Sequence, residues 1–165
     1  MLEAIENSAL STWIRESPAI YGYTLILAAH AVGLAIVMGT ATAIALRLLG
    51  FPKEVPLAAM RKVFPVTFFG FWLNAISGVL LYITEIAKMN AMPAFWGKMS
   101  GVALGMILLL IIRKRIFGDT ASLERGVVPA GGRQLAYAMM FCWCLALIAG
   151  RLTGYPALVT MYFGI

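Results

Sequence analysis

The 165 residues are 62% apolar and 12% charged, with a mean hydropathy of +0.90 and a net charge of +6. That charged fraction is about half the soluble average, which excludes a soluble protein carrying an anchor and describes a single integral membrane domain over 1–165. The basic residues come with no recognition module and no interleaved basic–aromatic patch, so nucleic acid is not the expected partner.

Residues 1–17 place Leu2, Ile5, Ala9, Trp13 and Ile14 near helical spacing, with Glu3, Glu6, Arg15 and Glu16 on other faces. This pattern predicts an amphipathic helix lying at the membrane surface, with Trp13 at headgroup level. A basic segment followed by an apolar one is missing there, so no cleavable signal peptide is expected. Pro18 fits the first turn of the helix that follows.

Between Ala19 and Leu46 lie 28 residues without Asp, Glu, Lys or Arg. A bilayer core needs about 20 apolar residues in helix, and hydrocarbon offers backbone groups no other partner. The first span is therefore predicted over 19–46, ended by Arg47, and its Gly39-x-x-x-Ala43 has the small-residue form that permits close helix approach. His30, the only histidine, lies about 16 Å along it, near mid-membrane. An ionisable group at that depth is a candidate functional residue. Its imidazole is expected to face the bundle interior or a subunit interface.

The connection to Lys62 carries Pro52 and Pro56 and has room for a short surface helix. A second span is predicted over 63–87, with Asn74 and Ser77 inside it and Glu85 and Lys88 at its far end. Residues Met89 to Pro93 read as a tight turn. A third span over 94–116 ends in Arg113, Lys114 and Arg115. A polar loop follows, and a fourth span covers 134–155. Gly150, Gly154 and Pro156 surround Arg151 and predict a kink or unwinding before an apolar tail to Ile165. The fold class is thus all-α: four transmembrane helices in an antiparallel bundle, plus the N-terminal interfacial helix.

Nine basic residues (Arg47, Lys53, Arg61, Lys62, Arg113, Lys114, Arg115, Arg125 and Arg133) fall at one end of these spans. Four (Arg15, Lys88, Lys98 and Arg151) fall at the other. Positive charge stays inside, so both termini are expected on the outer, periplasmic side of a bacterial inner membrane. The immediate partner is the lipid bilayer; a homo-oligomer or a larger membrane complex is compatible with the pattern.

Counting along the antiparallel helices puts His30, Asn74, Met106, Cys142 and Cys144 at one level, with Glu85, Lys98 and Arg151 nearer the outer face. Three readings fit this layer. A haem b would take His30 with Met106 as an axial pair, Gly33 leaving room for a porphyrin face and Lys98 or Arg151 meeting its propionates. A copper site would draw on His30, Met106, Cys142 and Cys144. Alternatively, His30 hydrogen-bonds Asn74, a serine or a backbone carbonyl and fixes helix packing. Arg151, among helix breakers, is expected to pair with Glu85 or to meet an anionic group. No nucleotide loop, nucleophile elbow or metalloprotease helix is present, so no catalytic activity of the chain alone is expected.

Four stretches carry a family resemblance: His30-Ala31-Val32-Gly33-Leu34, Leu46-Arg47-Leu48-Leu49-Gly50, Ser77-Gly78-Val79-Leu80-Leu81, and Pro93-Ala94-Phe95-Trp96-Gly97-Lys98-Met99. In this order the chain resembles an uncharacterised family of small four-helix bacterial inner-membrane proteins, distantly similar to copper-resistance D-type membrane proteins. The resemblance spans about residues 10 to 150. It implies the four-helix fold and, more distantly, copper passage or a haem-like redox role, with His30 and Lys98 as its positions. Three function classes follow: a redox-linked subunit with haem b or a quinone, a copper- or other cation-handling protein, and a noncatalytic accessory subunit.

Overall fold

A computed structural model describes residues 2–18, 20–118, 123 and 126–155. Its elements are α1 (Leu2–Glu6), α2 (Ala9–Glu16), α3 (Tyr23–Leu49), a 3₁₀ helix (Leu57–Lys62), α4 (Val63–Thr84), α5 (Ile86–Ala91), α6 (Pro93–Arg115) and α7 (Gly132–Leu152). No strand occurs among the described residues. Four helical stretches are long and apolar enough to cross a membrane, with mean hydropathy of 1.7 to 1.9. The protein is an all-α polytopic bundle. Pro156, the tail to Ile165 and Arg125 lie outside the described residues.

The spanning helices pack as two hairpins. Helix α3 lies along α4 and α6 along α7, and α3 also meets α7. Helices α4 and α6 do not pack along their length. Side chains bridge them at both ends instead: Tyr82 stacks on Phe95 with ring centroids 5.1 Å apart, and Phe64 meets Phe117 edge-on, also at 5.1 Å. The apolar core gathers where α3, α6 and α7 converge below mid-span, around Ile44, Leu48, Leu109, Ile112 and Met139, all fully buried.

Association of helices in lipid depends on close packing rather than on water exclusion, and glycines supply it here. A Cβ on Gly33 would lie 2.6 Å from the Asn74 backbone nitrogen and 2.9 Å from the Gly70 carbonyl oxygen. On Gly101 it would lie 2.9 Å from both the Ala146 nitrogen and the Cys142 carbonyl oxygen. Gly39 has nothing within 4 Å. The close crossing of α3 is therefore at Gly33, one and a half turns from the expected Gly39–Ala43 motif, because that face of the helix looks away from its neighbours.

Local chemistry accounts for the boundaries. Helix α3 continues past Arg47 to Leu49 and stops at Gly50, whose φ of 101° is accessible to glycine at little cost; Phe51 N–H then donates to the Leu46 carbonyl at 2.9 Å. The Arg47 Nε–H donates to the Val55 carbonyl, which ties the following loop back to the helix. The helix begins at Tyr23 rather than near Pro18, because the chain turns at Gly22, where a Cβ would meet Ser17 and Ile14. At its other end α4 breaks at Glu85 (φ −141°), and α5 occupies most of the expected Met89–Pro93 turn.

The N-terminal segment forms two helices instead of one, since the Ser8 hydroxyl caps α2 by accepting from Ser11 N–H at 3.4 Å. Ser11 and Ile14 are fully buried against the end of α4. The Ser11 hydroxyl donates to the Ile83 carbonyl at 3.3 Å and Arg15 donates to that of Thr84 at 3.4 Å. These are carbonyls a helix C-terminus leaves unpaired, and a cation there also complements the dipole. The opposite face of the segment keeps Leu10 and Trp13 about half exposed (50% and 55%), as a helix at the membrane surface requires.

Replacing Gly33 or Gly101 by alanine should lower stability by about 1–3 kcal/mol through overpacking. The Gly39→Ala variant should be neutral, or stabilising by up to about 1 kcal/mol. Equilibrium unfolding in mixed micelles measures all three.

Candidate functional site

The polar residues of the spans converge on the α3–α4 crossing. His30 is half-buried and turns its ring toward α4, over Gly78, where a Cβ would lie 3.0 Å from the imidazole Cε1. Its Nδ1 is 2.9 Å from the Asn74 carbonyl oxygen and 3.3 Å from the Ser77 Oγ. A carbonyl can only accept, so Nδ1 carries the proton. The Ser77 hydroxyl spends its own proton on the Leu73 carbonyl at 2.6 Å, which leaves the oxygen free to accept.

Asn74 answers from the other side. Its side-chain amide donates to the His30 carbonyl oxygen at 2.8 Å and stands 3.5 Å from the imidazole Nε2. A donor facing Nε2 leaves that nitrogen as an acceptor with its lone pair uncommitted to any strong bond. Each helix thus bonds the backbone of the other through a side chain, and the glycine crossing one turn away brings the two within reach.

The remaining candidates are distributed unevenly. Lys98 is half-buried and lays its stem across Gly150 of α7. Gly33 faces the α4 backbone, so the space its missing side chain leaves is taken by protein. Met106 lies in the apolar core (9% exposed). Cys142 is buried and Cys144 exposed, as expected of residues two apart on a helix. Among the described residues no three His, Cys, Asp or Glu side chains gather. Arg151 sits in the last turn of α7 and donates to the Tyr155 hydroxyl at 2.6 Å, its guanidinium 4.8 Å from that ring. Glu85 pairs with Lys88 at 2.7 Å, the one ion pair among the described residues. The expected Arg151–Glu85 pairing therefore does not form.

The sequence reading that His30 hydrogen-bonds Asn74, a serine or a backbone carbonyl agrees with these contacts; the Gly78 seat beneath the ring is the part it does not contain. Ser77 and Gly78 follow Asn74 by three and four residues, one helical turn, and that spacing was the available signal.

Compared with known proteins, the chain matches no family model, no curated sequence and no solved structure. Its functional reading rests on these side chains.

The reciprocal bonds should register as two separate contributions. His30→Ala and Asn74→Ala should each cost about 0.6–2 kcal/mol, the range for interhelical bonds in membranes. The double variant should lose close to their sum in a double-mutant cycle followed by unfolding in micelles, because each side chain bonds a backbone carbonyl that alanine retains.

Proposed function

We propose that the protein is a redox-linked, quinone-associated membrane subunit whose ligand-facing groups are His30 and Lys98. The observation that carries this reading is the fixed His30 ring: Nδ1–H is held on a backbone carbonyl at 2.9 Å, and Nε2 is left as an acceptor inside the span. A second half-buried ionisable group within the spans, Lys98, lies against Gly150 of α7. A quinol hydroxyl needs an acceptor such as Nε2, and a quinone carbonyl needs a donor such as the Lys98 ammonium. Intramembrane ionisable residues most often serve proton or ligand pathways. A porphyrin is the less suited redox group, because the clearance at Gly33 is filled and Met106 belongs to the core. The chain would bind and orient the quinone; electrons would pass to or from a partner complex.

Localisation in an inner membrane with both termini outside accords with the basic residues at the Arg47, Arg61 and Arg113 ends of the spans. Reporter fusions at Met1 should be active only in the periplasm. Cytoplasmic activity would reverse the orientation.

Purified full-length protein in nanodiscs should bind a short-chain benzoquinone or naphthoquinone saturably, followed by tryptophan fluorescence quenching. Lys98→Met should weaken binding by about tenfold, the loss of one charge-assisted hydrogen bond at about 1.5 kcal/mol, while the helical spectrum is kept. Absent or Lys98-independent binding would leave His30 as a packing residue in a noncatalytic accessory subunit. A Soret band in the purified protein that His30→Ala removes would replace the quinone by haem, and copper on metal analysis would replace both.

A further inference from the structure

At the end of the bundle remote from Lys98, the splay between α4 and α6 opens a groove of about 750 Å³. The fifteen residues from Lys98 to Arg113 along α6 amount to about 22 Å of helix, so this groove is separate from the His30 site. Among the described residues nine line it; three of these, Arg61, Arg113 and Lys114, are cationic and none is acidic. Its wall continues along the spans as Phe64, Phe68 and Leu110. The two chemistries are ordered by position: the cations stand in the last turn of the 3₁₀ helix just before α4 and in the last turn of α6, where headgroups lie, and the apolar wall runs toward the hydrocarbon.

The groove has fixed parts. Phe64 is buried and braced by the edge-on Phe117. The Arg113 guanidinium is centred 5.2 Å from the Phe68 ring, an arrangement that orients its N–H groups without consuming an anion. Cations in the last turn of α6 also complement the helix dipole, but that effect requires neither the Phe68 contact nor Arg61 on a different element.

We propose that this groove holds one anionic glycerophospholipid, its phosphate between Arg61, Arg113 and Lys114 and the first part of an acyl chain along Phe64, Phe68 and Leu110. Basic pockets between spanning helices fit such headgroups, and the side of the bundle that carries most of the positive charge is the one expected to face the anionic leaflet. The splay of α4 from α6 then has an occupant: the lipid fills the space that the two end-bridging aromatic pairs leave open. A choline headgroup would place a quaternary ammonium beside three cations and is disfavoured.

The test uses the full-length protein in nanodiscs of phosphatidylcholine with a minor fraction of phosphatidylglycerol. Lipid retained after extraction is read by native mass spectrometry. Wild-type protein should retain phosphatidylglycerol in preference to phosphatidylcholine, one molecule per chain. The Arg113→Gln, Lys114→Gln double variant should lose that preference by about fivefold for each cation removed. The Lys62→Gln, Arg115→Gln variant removes two charges from the same end but outside the groove and should keep the preference, and circular dichroism checks that both variants remain helical. Equal loss in both variants would mean diffuse surface attraction and overturn the proposal. So would release of the lipid by millimolar inorganic phosphate, which would mark a free-anion site, or the absence of any preference. Phe68→Leu, which keeps the charges but not the ring beneath Arg113, should weaken retention; if it does not, the groove wall plays no part and the site as described is wrong.

Discussion

Hydrocarbon leaves a polar side chain no partner except another part of the protein, and the His30–Asn74 exchange is the point at which this chain meets that constraint. Each residue bonds the other's backbone carbonyl, at 2.9 and 2.8 Å. The exchange is possible only because Gly33 and Gly70 let the α3 and α4 backbones approach, and Gly78 gives the ring a flat seat. Packing and polarity are mutually dependent here: without the glycines the bonds cannot reach, and without the bonds the half-buried imidazole and amide would stand unsatisfied.

The rest of the bundle is arranged around that tight pair and its counterpart, α6 with α7. Both hairpins close through glycine, α3 joins them by lying against α7, and α4 and α6 stay apart except toward their ends, where aromatic rings and the Arg113–Phe68 contact bridge them. The N-terminal helices steady one end of the bundle by bonding the last carbonyls of α4 and, through Glu6, the Ala87 N–H at the start of α5. This segment is therefore a cap on the bundle as well as an amphipathic surface element.

The polar groups left over by this packing divide by depth. His30 and Lys98 lie within the spanning helices α3 and α6, the first at the α4 crossing and the second against α7. Arg61, Arg113 and Lys114 gather at the opposite end beside an apolar wall, where a phosphate and an acyl chain meet. Arg151 belongs to neither group; its bond to Tyr155 holds it at the end of α7.

The sequence by itself determined the four spans and their approximate limits, because the backbone's need for internal hydrogen bonds in hydrocarbon admits only helices of about that length. It also determined the depth of His30 and Asn74, since rise per residue is nearly constant. Facing was beyond it: the hydrophobic pattern that marks a helix face in water vanishes where lipid and core are equally apolar. So Gly39–Ala43 read as well as Gly33–Gly70 for the close crossing, and Arg151 could be assigned to Glu85 on depth alone. Cys142 and Cys144 shared a level with His30 but not a direction. Only the tertiary structure decided which glycines touch, that Ser77 and Gly78 seat the imidazole, and that α4 leaves α6 to open a groove. Those outcomes turn on side-chain volume summed across four helices, which no single helix encodes.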